Sequence, residues 1–170
     1  MMNQNALKIG IVGAGNMGRK HGGAVAAYGA QVVAVHSSRL EAAQQLATEV
    51  GAEIATDELS TFFEHEIDAV IITAPPPVRL EPVRMACERG IHLMIEKPPA
   101  LNMGEGRGCL KQIEKAGVIA AVGFQLRYVP LYERLKHLLA SETVHLVNTV
   151  CTVNYYLSFS DGAVVPAAAH

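Results

Sequence analysis

Two residues able to do chemistry stand at the end of an apolar run. The segment HLMIEKPPAL (92–101) carries Glu96 and Lys97 directly after the run, and Pro98 and Pro99 follow them. A lysine ammonium can hold a hydroxyl group and help to move its proton, and the prolines restrict the backbone behind it. The apolar run is typical of a strand buried on both faces. We therefore interpret Glu96 and Lys97 as an ion pair presented at the end of a buried strand.

A second segment, KIGIVGAGNMG, has the spacing G-x-G-x-x-G after a short apolar run, at Gly13, Gly15 and Gly18. In a strand, loop and helix, the first glycine permits a tight turn and the second lets the backbone approach a pyrophosphate. The third lets helix and strand pack closely. A helix beginning near Asn16 and Met17 would offer its unpaired N–H groups to the phosphates. We interpret this loop as a dinucleotide site rather than a glycine-rich turn without a ligand.

The residues after the second apolar run indicate which dinucleotide is bound. NAD-binding domains usually carry an acidic residue there, which holds the ribose 2′-hydroxyl, whereas this chain has Ser37, Ser38 and Arg39. Two hydroxyls and a guanidinium can bind a 2′-phosphate, which an acid would repel. The alternative is that Ser38 caps the next helix and Arg39 is solvated, and both can hold together. We predict NADP in preference to NAD.

The elements that must position these residues alternate between short apolar runs and helical patterns. Strands are predicted at 7–12, 30–36, 52–56, 68–73, 91–95 and 118–123, with helices between them. This alternation predicts an α/β fold of the Rossmann class, a doubly wound parallel sheet. Ser38 and Asp57 are predicted helix caps, and glycines at 104, 106 and 108 predict that the last of these helices begins only near Gly108.

Thr73 and Pro75 end the fourth predicted strand, followed by two further prolines. Ligands of doubly wound sheets bind beyond the carboxyl ends of the strands. We therefore expect Thr73 and Pro75 to support the ribose and nicotinamide of the dinucleotide. A stiff connection that only ends the strand is the alternative.

The pattern changes after Gly123. A helix is predicted from Pro130, and residues 144–159 alternate like a strand of an antiparallel sheet. We interpret 1–123 as the dinucleotide-binding domain and 124–170 as the start of an incomplete, truncated second α/β domain for substrate binding or oligomerisation. A lone strand would leave its edge unpaired, so we expect either a homo-oligomer or a poorly ordered tail.

Composition excludes several classes of function. The chain has 170 residues, a net charge of −2 and no basic block, which argues against a nucleic-acid partner. Apolar runs are too short for a membrane span, and the histidines and carboxylates lack metal-ligand spacing. Three separated cysteines indicate reduced thiols in a cytoplasmic protein. The histidines, His21 and His36 among them, are interpreted as surface or packing residues.

Together these segments resemble the glucose–fructose oxidoreductase/inositol dehydrogenase (Gfo/Idh/MocA) family. The matching pieces are KIGIVGAGNMGRKH, DAVIITAPP, GIHLMIEKPPAL and VGFQLRYVP, which lie within residues 8–130. The resemblance implies an N-terminal Rossmann domain followed by an α/β domain with a large open sheet. It also implies hydride transfer between NAD(P) and a carbon bearing a hydroxyl, on a sugar, a polyol or a related compound.

The resemblance also implies roles for single residues. By position, Lys97 matches the substrate-contacting lysine, Glu96 a cofactor contact, Pro98 a cis proline and Gln125 a polar residue near the nicotinamide. Arg79 departs from the family, which often has a histidine there.

Two further departures concern the second domain. The family chain is longer than this one, and its second domain floors the substrate pocket. Its catalytic Asp-x-x-x-His is matched only faintly by DGAVVPAAAH, with Pro166 and His170 at those places. We favour an irregular small-residue tail for this segment. The alternative to a dehydrogenase is a non-catalytic or truncated dinucleotide-binding module.

Overall fold

A computed structural model describes residues 6–148 and contains one six-stranded sheet. Its strands are β1 Lys8–Val12, β2 Gln31–His36, β3 Ile54–Thr56, β4 Ala69–Ile72, β5 His92–Ile95 and β6 Ala120–Val122. The spatial order is β3-β2-β1-β4-β5-β6, and every neighbouring pair is parallel. The strand order reverses between β1 and β4, which is the arrangement of a doubly wound sheet. The predicted Rossmann class is confirmed.

The helices are α1 Asn16–Ala27, α2 Leu40–Val50, α3 Leu59–Phe62, α4 Leu80–Glu88, α5 Met103–Ala116 and α6 Pro130–Leu139. Short 3₁₀ turns lie at Pro76–Val78 and Gln125–Tyr128. Within residues 6–148 no helix combines the length and the apolar character needed to cross a bilayer.

Helices cover both faces of the sheet. Ile11 and Val35 pack on one face with Leu46 of α2, while Val12 and Val70 pack on the other with residues of α3 and α4. Neighbouring side chains of a strand point to opposite faces, so both kinds of position must be apolar. This is why the central strands read as continuous apolar runs.

Two predicted helix caps are wrong. Helix α2 begins at Leu40 with Arg39 at its N-cap position and has no side-chain cap, while the Ser37 hydroxyl accepts from the Arg39 N–H at 3.5 Å in the connection that leaves β2. Ser38 therefore does not cap it. Helix α3 begins at Leu59 with Glu58 at its N-cap position and has no side-chain cap from Asp57. The Thr56 hydroxyl accepts from the Glu58 N–H at 3.0 Å.

The predicted late start of α5 is also wrong. The helix begins at Met103, where Asn102 Oδ1 accepts from the Glu105 N–H at 3.0 Å and Glu105 Oε1 accepts from Asn102 Nδ2 at 2.8 Å. Such reciprocal caps stabilise a helix by about 1 kcal/mol. That contribution offsets part of the cost of Gly104 and Gly106 in the first turns.

The backbone divides into two compact units, Met1–Leu126 and Arg127–His170. The second unit contains α6, which begins at Pro130 as predicted. A strand is predicted over 144–159, but its described part, residues 144–148, does not form a strand. Its remainder, with Pro166 and His170, lies outside the described residues.

Candidate functional site

The glycine loop is wedged between the ends of β2 and β4. Gly13 has a φ of +112°, and a Cβ there would lie 2.6 Å from Thr73 Oγ1 and 2.7 Å from the Ala74 nitrogen. The Gly13 N–H donates to the His36 carbonyl at 2.8 Å, and the Thr73 hydroxyl donates to the Gly13 carbonyl at 2.8 Å. Only glycine has both the conformation and the size for this position. Thr73 thus holds the loop in place.

The other two glycines of the loop differ in their surroundings. A Cβ at Gly18, the third residue of α1, would lie 2.1 Å from the Gly13 carbonyl oxygen, so helix and loop pack too closely for a side chain. Gly15 stands at the N-cap of α1 with nothing within 4 Å of its Cβ position. The first-turn N–H groups, including those of Asn16 and Met17, have no acceptor within the helix. This open cradle fits a pyrophosphate.

A cleft of about 500 Å³ opens beside this cradle. It joins predicted residues from three connections, namely Gly13, Gly15, Ser37, Ser38, Arg39, Thr73 and Pro75. Its lining also includes Asp57 and Leu59, which follow β3 and which the sequence interpretation missed. Their position after a strand of the same parallel sheet is the signal that could have identified them.

His36 lies in the wall of the cleft at the end of β2 and is buried. Its Nε2 donates to the Asp57 carbonyl at 3.2 Å, and its ring meets the Phe62 ring edge-on at 6.2 Å. Within the described residues, its Nδ1 atom has no hydrogen-bond partner. Burial lowers the pKa of His36, while the Asp57 carbonyl opposes that shift. His36 is a packing residue, as interpreted.

Glu96 and Lys97 lie further along the same edge of the sheet, and they do not form the predicted ion pair. Glu96 is 3% exposed, and its Oε1 lies 2.8 Å from His21 Nε2 of α1, while its Oε2 accepts from the Lys97 backbone N–H at 3.1 Å. Consecutive side chains of an extended segment point in opposite directions. The carboxylate therefore turns inward and the Lys97 side chain is exposed. In the part of the chain that the structure describes, no carboxylate pairs with that ammonium.

His21 was missed as a site residue. It lies on α1 three residues after Gly18 and one before Gly22, both of them buried, and this helical spacing is the signal that it faces the sheet.

The remaining predicted site residues, Pro98 and Gln125, lie in the connections after β5 and β6. The Lys97–Pro98 peptide is cis, as the resemblance implies for Pro98. Gln125 is exposed in the turn after β6, outside the cleft. Gly123, directly after β6, packs closely against the Glu96 side chain, since a Cβ there would lie 3.1 Å from Glu96 Oε1.

Fold and cleft together define an NAD-binding Rossmann domain. The model of the Gfo/Idh/MocA oxidoreductase family, described as having an NAD-binding Rossmann fold, matches residues 7–124. The chain belongs to this family.

Three relatives illustrate the family. The chain is 29% identical over 136 residues to scyllo-inositol 2-dehydrogenase (NAD(+)) of Bacillus subtilis, covering 78% of this chain and 40% of that protein. It is 31% identical to D-xylose 1-dehydrogenase (NADP(+)) 2 of Haloferax volcanii, covering 92% and 48%. The solved scyllo-inositol dehydrogenase of Lactobacillus casei, with NAD(H) and scyllo-inositol, is 27% identical with a TM-score of 0.75, covering 80% and 41%. The chain thus spans less than half the length of each.

Proposed function

We propose that the chain binds a nicotinamide dinucleotide and serves in a dehydrogenase that acts on a carbon bearing a hydroxyl in a sugar or polyol. The observation that carries this proposal is a single cleft at the carboxyl edge of the sheet. The cleft joins the glycine loop to Ser37, Ser38 and Arg39. Lys97 is exposed at the end of β5, further along the same edge. The family membership and the sugar and polyol dehydrogenases among the relatives support the same function.

Each part of the site has a separate task in this proposal. The open backbone at Gly15 and the first-turn N–H groups of α1 bind the pyrophosphate. Thr73 fixes the loop, and Pro75 gives the adjoining wall of the cleft a rigid backbone. When bound, the nicotinamide supplies the hydride donor or acceptor. Lys97 holds the substrate hydroxyl and assists its proton transfer, and Gln125 is a polar contact near that end of the site.

NADP is the preferred coenzyme in this proposal. Ser37, Ser38 and Arg39 line the cleft where an acidic residue would otherwise select the 2′-hydroxyl. Asp57 also lines the cleft, and its carboxylate would oppose a 2′-phosphate, so the preference is set by these groups together. The relatives include enzymes named for each coenzyme.

Calorimetric titration with NADPH and NADH tests this preference. We expect Arg39→Ala to weaken NADPH binding by about tenfold or more, because it removes a charge-assisted hydrogen bond, and to leave NADH nearly unaffected. Ser37→Asp should reverse the preference, and Asp57→Asn should strengthen NADPH binding. Arg84→Ala, an exposed arginine of α4, is the matched control. Equal losses for both coenzymes in Arg39→Ala would contradict the assignment.

Turnover on a panel of sugars and polyols tests Lys97. We expect Lys97→Ala to abolish product formation and to leave coenzyme affinity and thermal stability unchanged, because the side chain is exposed. Lys111→Ala, at an exposed position of α5, should behave like the unmodified chain. An unchanged rate in Lys97→Ala would show that Lys97 does not have this role.

A dinucleotide-binding module without catalysis is the second candidate. The observation that favours it is that the cleft is lined by the glycine loop and by Ser37, Ser38 and Arg39 but not by Lys97. NADPH should then raise the melting temperature with no oxidised or reduced product on any substrate. Binding with turnover supports the dehydrogenase, and the absence of both contradicts both functions.

Self-association is also part of the proposal. Helix α6 carries exposed leucines at helical spacing, with Leu131 70%, Leu135 48% and Leu138 57% exposed. A second copy could cover such an apolar stripe. Light scattering after size-exclusion chromatography tests this, and a monomer at all concentrations would contradict it.

A further inference from the structure

We propose that Arg79 is a positioning residue that fixes the backbone on both sides of Lys97. This inference rests on the proposed function, because it concerns the part of the site where Lys97 meets the substrate. Arg79 follows the proline-rich connection after β4, at a position where the family resemblance implies a histidine.

The contacts of Arg79 join two connections of the sheet. The residue is 4% exposed. Its Nε donates to the Ala74 carbonyl at 2.5 Å, and its Nη1 donates to the carbonyls of Glu96 and Pro98. One guanidinium therefore binds the chain after β4 and the chain after β5. It does so at the two residues that flank Lys97.

The charge of Arg79 makes these contacts obligatory. A guanidinium stays protonated in proteins, and its burial is unfavourable unless hydrogen bonds replace the lost water. In the described part of the chain no carboxylate lies within ion-pair distance of it, so the three carbonyls supply the hydrogen bonds that its burial requires. Burial lowers the pKa of Arg79, and the nearby Glu96 charge opposes that shift.

The backbone of Lys97 is also held through its own N–H. That group donates to Glu96 Oε2 at 3.1 Å, and Glu96 Oε1 lies 2.8 Å from His21 Nε2. The carbonyls before and after Lys97 bind Arg79, and the N–H between them binds a carboxylate anchored to α1. Within the described residues the Lys97 side chain makes no hydrogen bond or ion pair, and its starting direction is set by these backbone contacts.

We expect that neither lysine nor histidine reproduces these three contacts with the same geometry. A planar guanidinium has five N–H donors in a fixed fork, whereas an imidazole has at most two and an ammonium is a point charge. Ala74 also lines the coenzyme cleft. Arg79 therefore ties the wall of that cleft to the segment that carries Lys97.

Amide hydrogen exchange of the Lys97 N–H, followed by NMR on the full chain, tests the proposal. We expect this N–H to be protected in the unmodified chain. In Arg79→Lys and Arg79→His it should exchange at least about tenfold faster, because charge-assisted hydrogen bonds to the flanking carbonyls are lost. Arg84→Lys, on the exposed side of α4, the helix that begins directly after Arg79, should leave the rate unchanged. An unprotected Lys97 N–H in the unmodified chain overturns the proposal even if neither Arg79 variant folds.

Coenzyme titration and turnover separate this proposal from the one on which it rests. Arg79→Lys should keep NADPH affinity within about threefold, because the Gly15 cradle is intact, and should lower kcat without a matching change in that affinity. Unchanged exchange and unchanged kcat in a folded Arg79→Lys chain overturn the positioning role. Failure of the unmodified chain to bind either coenzyme refutes the proposed function, whereas the exchange rates still report on Arg79.

Discussion

Alanine substitutions at Gly15 and Gly18 should separate coenzyme binding from folding, although the two glycines are three residues apart. The Cβ of Gly15→Ala would enter open space at the mouth of the cradle, whereas that of Gly18→Ala would lie 2.1 Å from the Gly13 carbonyl oxygen. Ordinary contact begins near 3.4 Å, so the loop at Gly18 must move by more than 1 Å. We expect the Gly15→Ala chain to fold normally but to bind coenzyme poorly. The Gly18→Ala chain should fold poorly.

The magnitudes follow from the surroundings of each residue. Alanine is a poorer N-cap than glycine, so Gly15→Ala should lower the free energy of unfolding by about 0.5–1 kcal/mol. Alanine at position 18 gains up to about 1 kcal/mol of helix propensity but adds overpacking near the upper end of about 1–3 kcal/mol, because its close neighbour is backbone, and the net loss is about 2 kcal/mol. At roughly 2–4 °C per kcal/mol for a chain of this size, its melting temperature should fall by about 4–8 °C.

Coenzyme affinity should be lowered more by Gly15→Ala than by Gly18→Ala, the reverse of their order in stability. The added methyl of Gly15→Ala holds the pyrophosphate away from the first-turn N–H groups, and each lost hydrogen bond to a charged group costs about 1.5–3 kcal/mol. The dissociation constant for NADPH should therefore rise by about tenfold or more. Gly23→Ala is the control, because Gly23 lies in α1 with nothing within 4 Å of its Cβ position. It should raise stability by up to about 1 kcal/mol and leave affinity unchanged.

Differential scanning fluorimetry and calorimetric titration on the same preparations measure both quantities. Normal affinity in a folded Gly15→Ala chain would refute the idea that the pyrophosphate lies over this residue. Normal stability in Gly18→Ala would refute the close packing of the loop against α1.

Three further predictions concern stability, measured by urea denaturation. Because burial lowers the pKa of His36, the unfolded chain takes up this proton first as pH falls below about 6.5. The contribution of neutral His36 to the free energy of unfolding is therefore fully present above that pH. It decreases below that pH by at most about 1.4 kcal/mol per pH unit. His36→Gln should lose that slope and exposed His137→Gln should keep it, and equal slopes in both variants would contradict the reasoning. Phe62→Ala, at a residue with 0% exposure, should cost about 3–5 kcal/mol, and a loss below about 1 kcal/mol would be inconsistent with this core. Glu81→Gln should cost less than about 1 kcal/mol, although Glu81 raises the pKa of exposed Arg84, and a larger loss would show that this surface pair is structural.

Local patterns predicted the sheet and the glycine loop because neighbouring residues determine both. The apolar runs end within two residues of the observed strands, and Gly13 has the positive φ that a tight turn requires. The predicted caps of α2 and α3 were wrong because each helix begins one residue later than its pattern indicated, so that Arg39 and Glu58 occupy the N-cap positions. A shift of one residue at a helix end depends on backbone geometry that the local pattern does not determine.

The contacts around Lys97 could not be predicted in the same way. Adjacent opposite charges suggested an ion pair between Glu96 and Lys97, but the carboxylate meets His21, which is 75 residues away in the chain. Arg79 was noted only as a departure from the family pattern, and its carbonyl partners depend on the folding of two separate connections. Side-chain direction and long-range pairing decided these outcomes.

The carbonyls gathered around Arg79 have a consequence for protein engineering. Consensus substitution commonly stabilises proteins, and at this position the family resemblance would suggest a histidine. Here that change would strip donors from the Ala74, Glu96 and Pro98 carbonyls at once. Position 79 should therefore be left untouched in any stabilisation library, or varied only together with the two segments it joins.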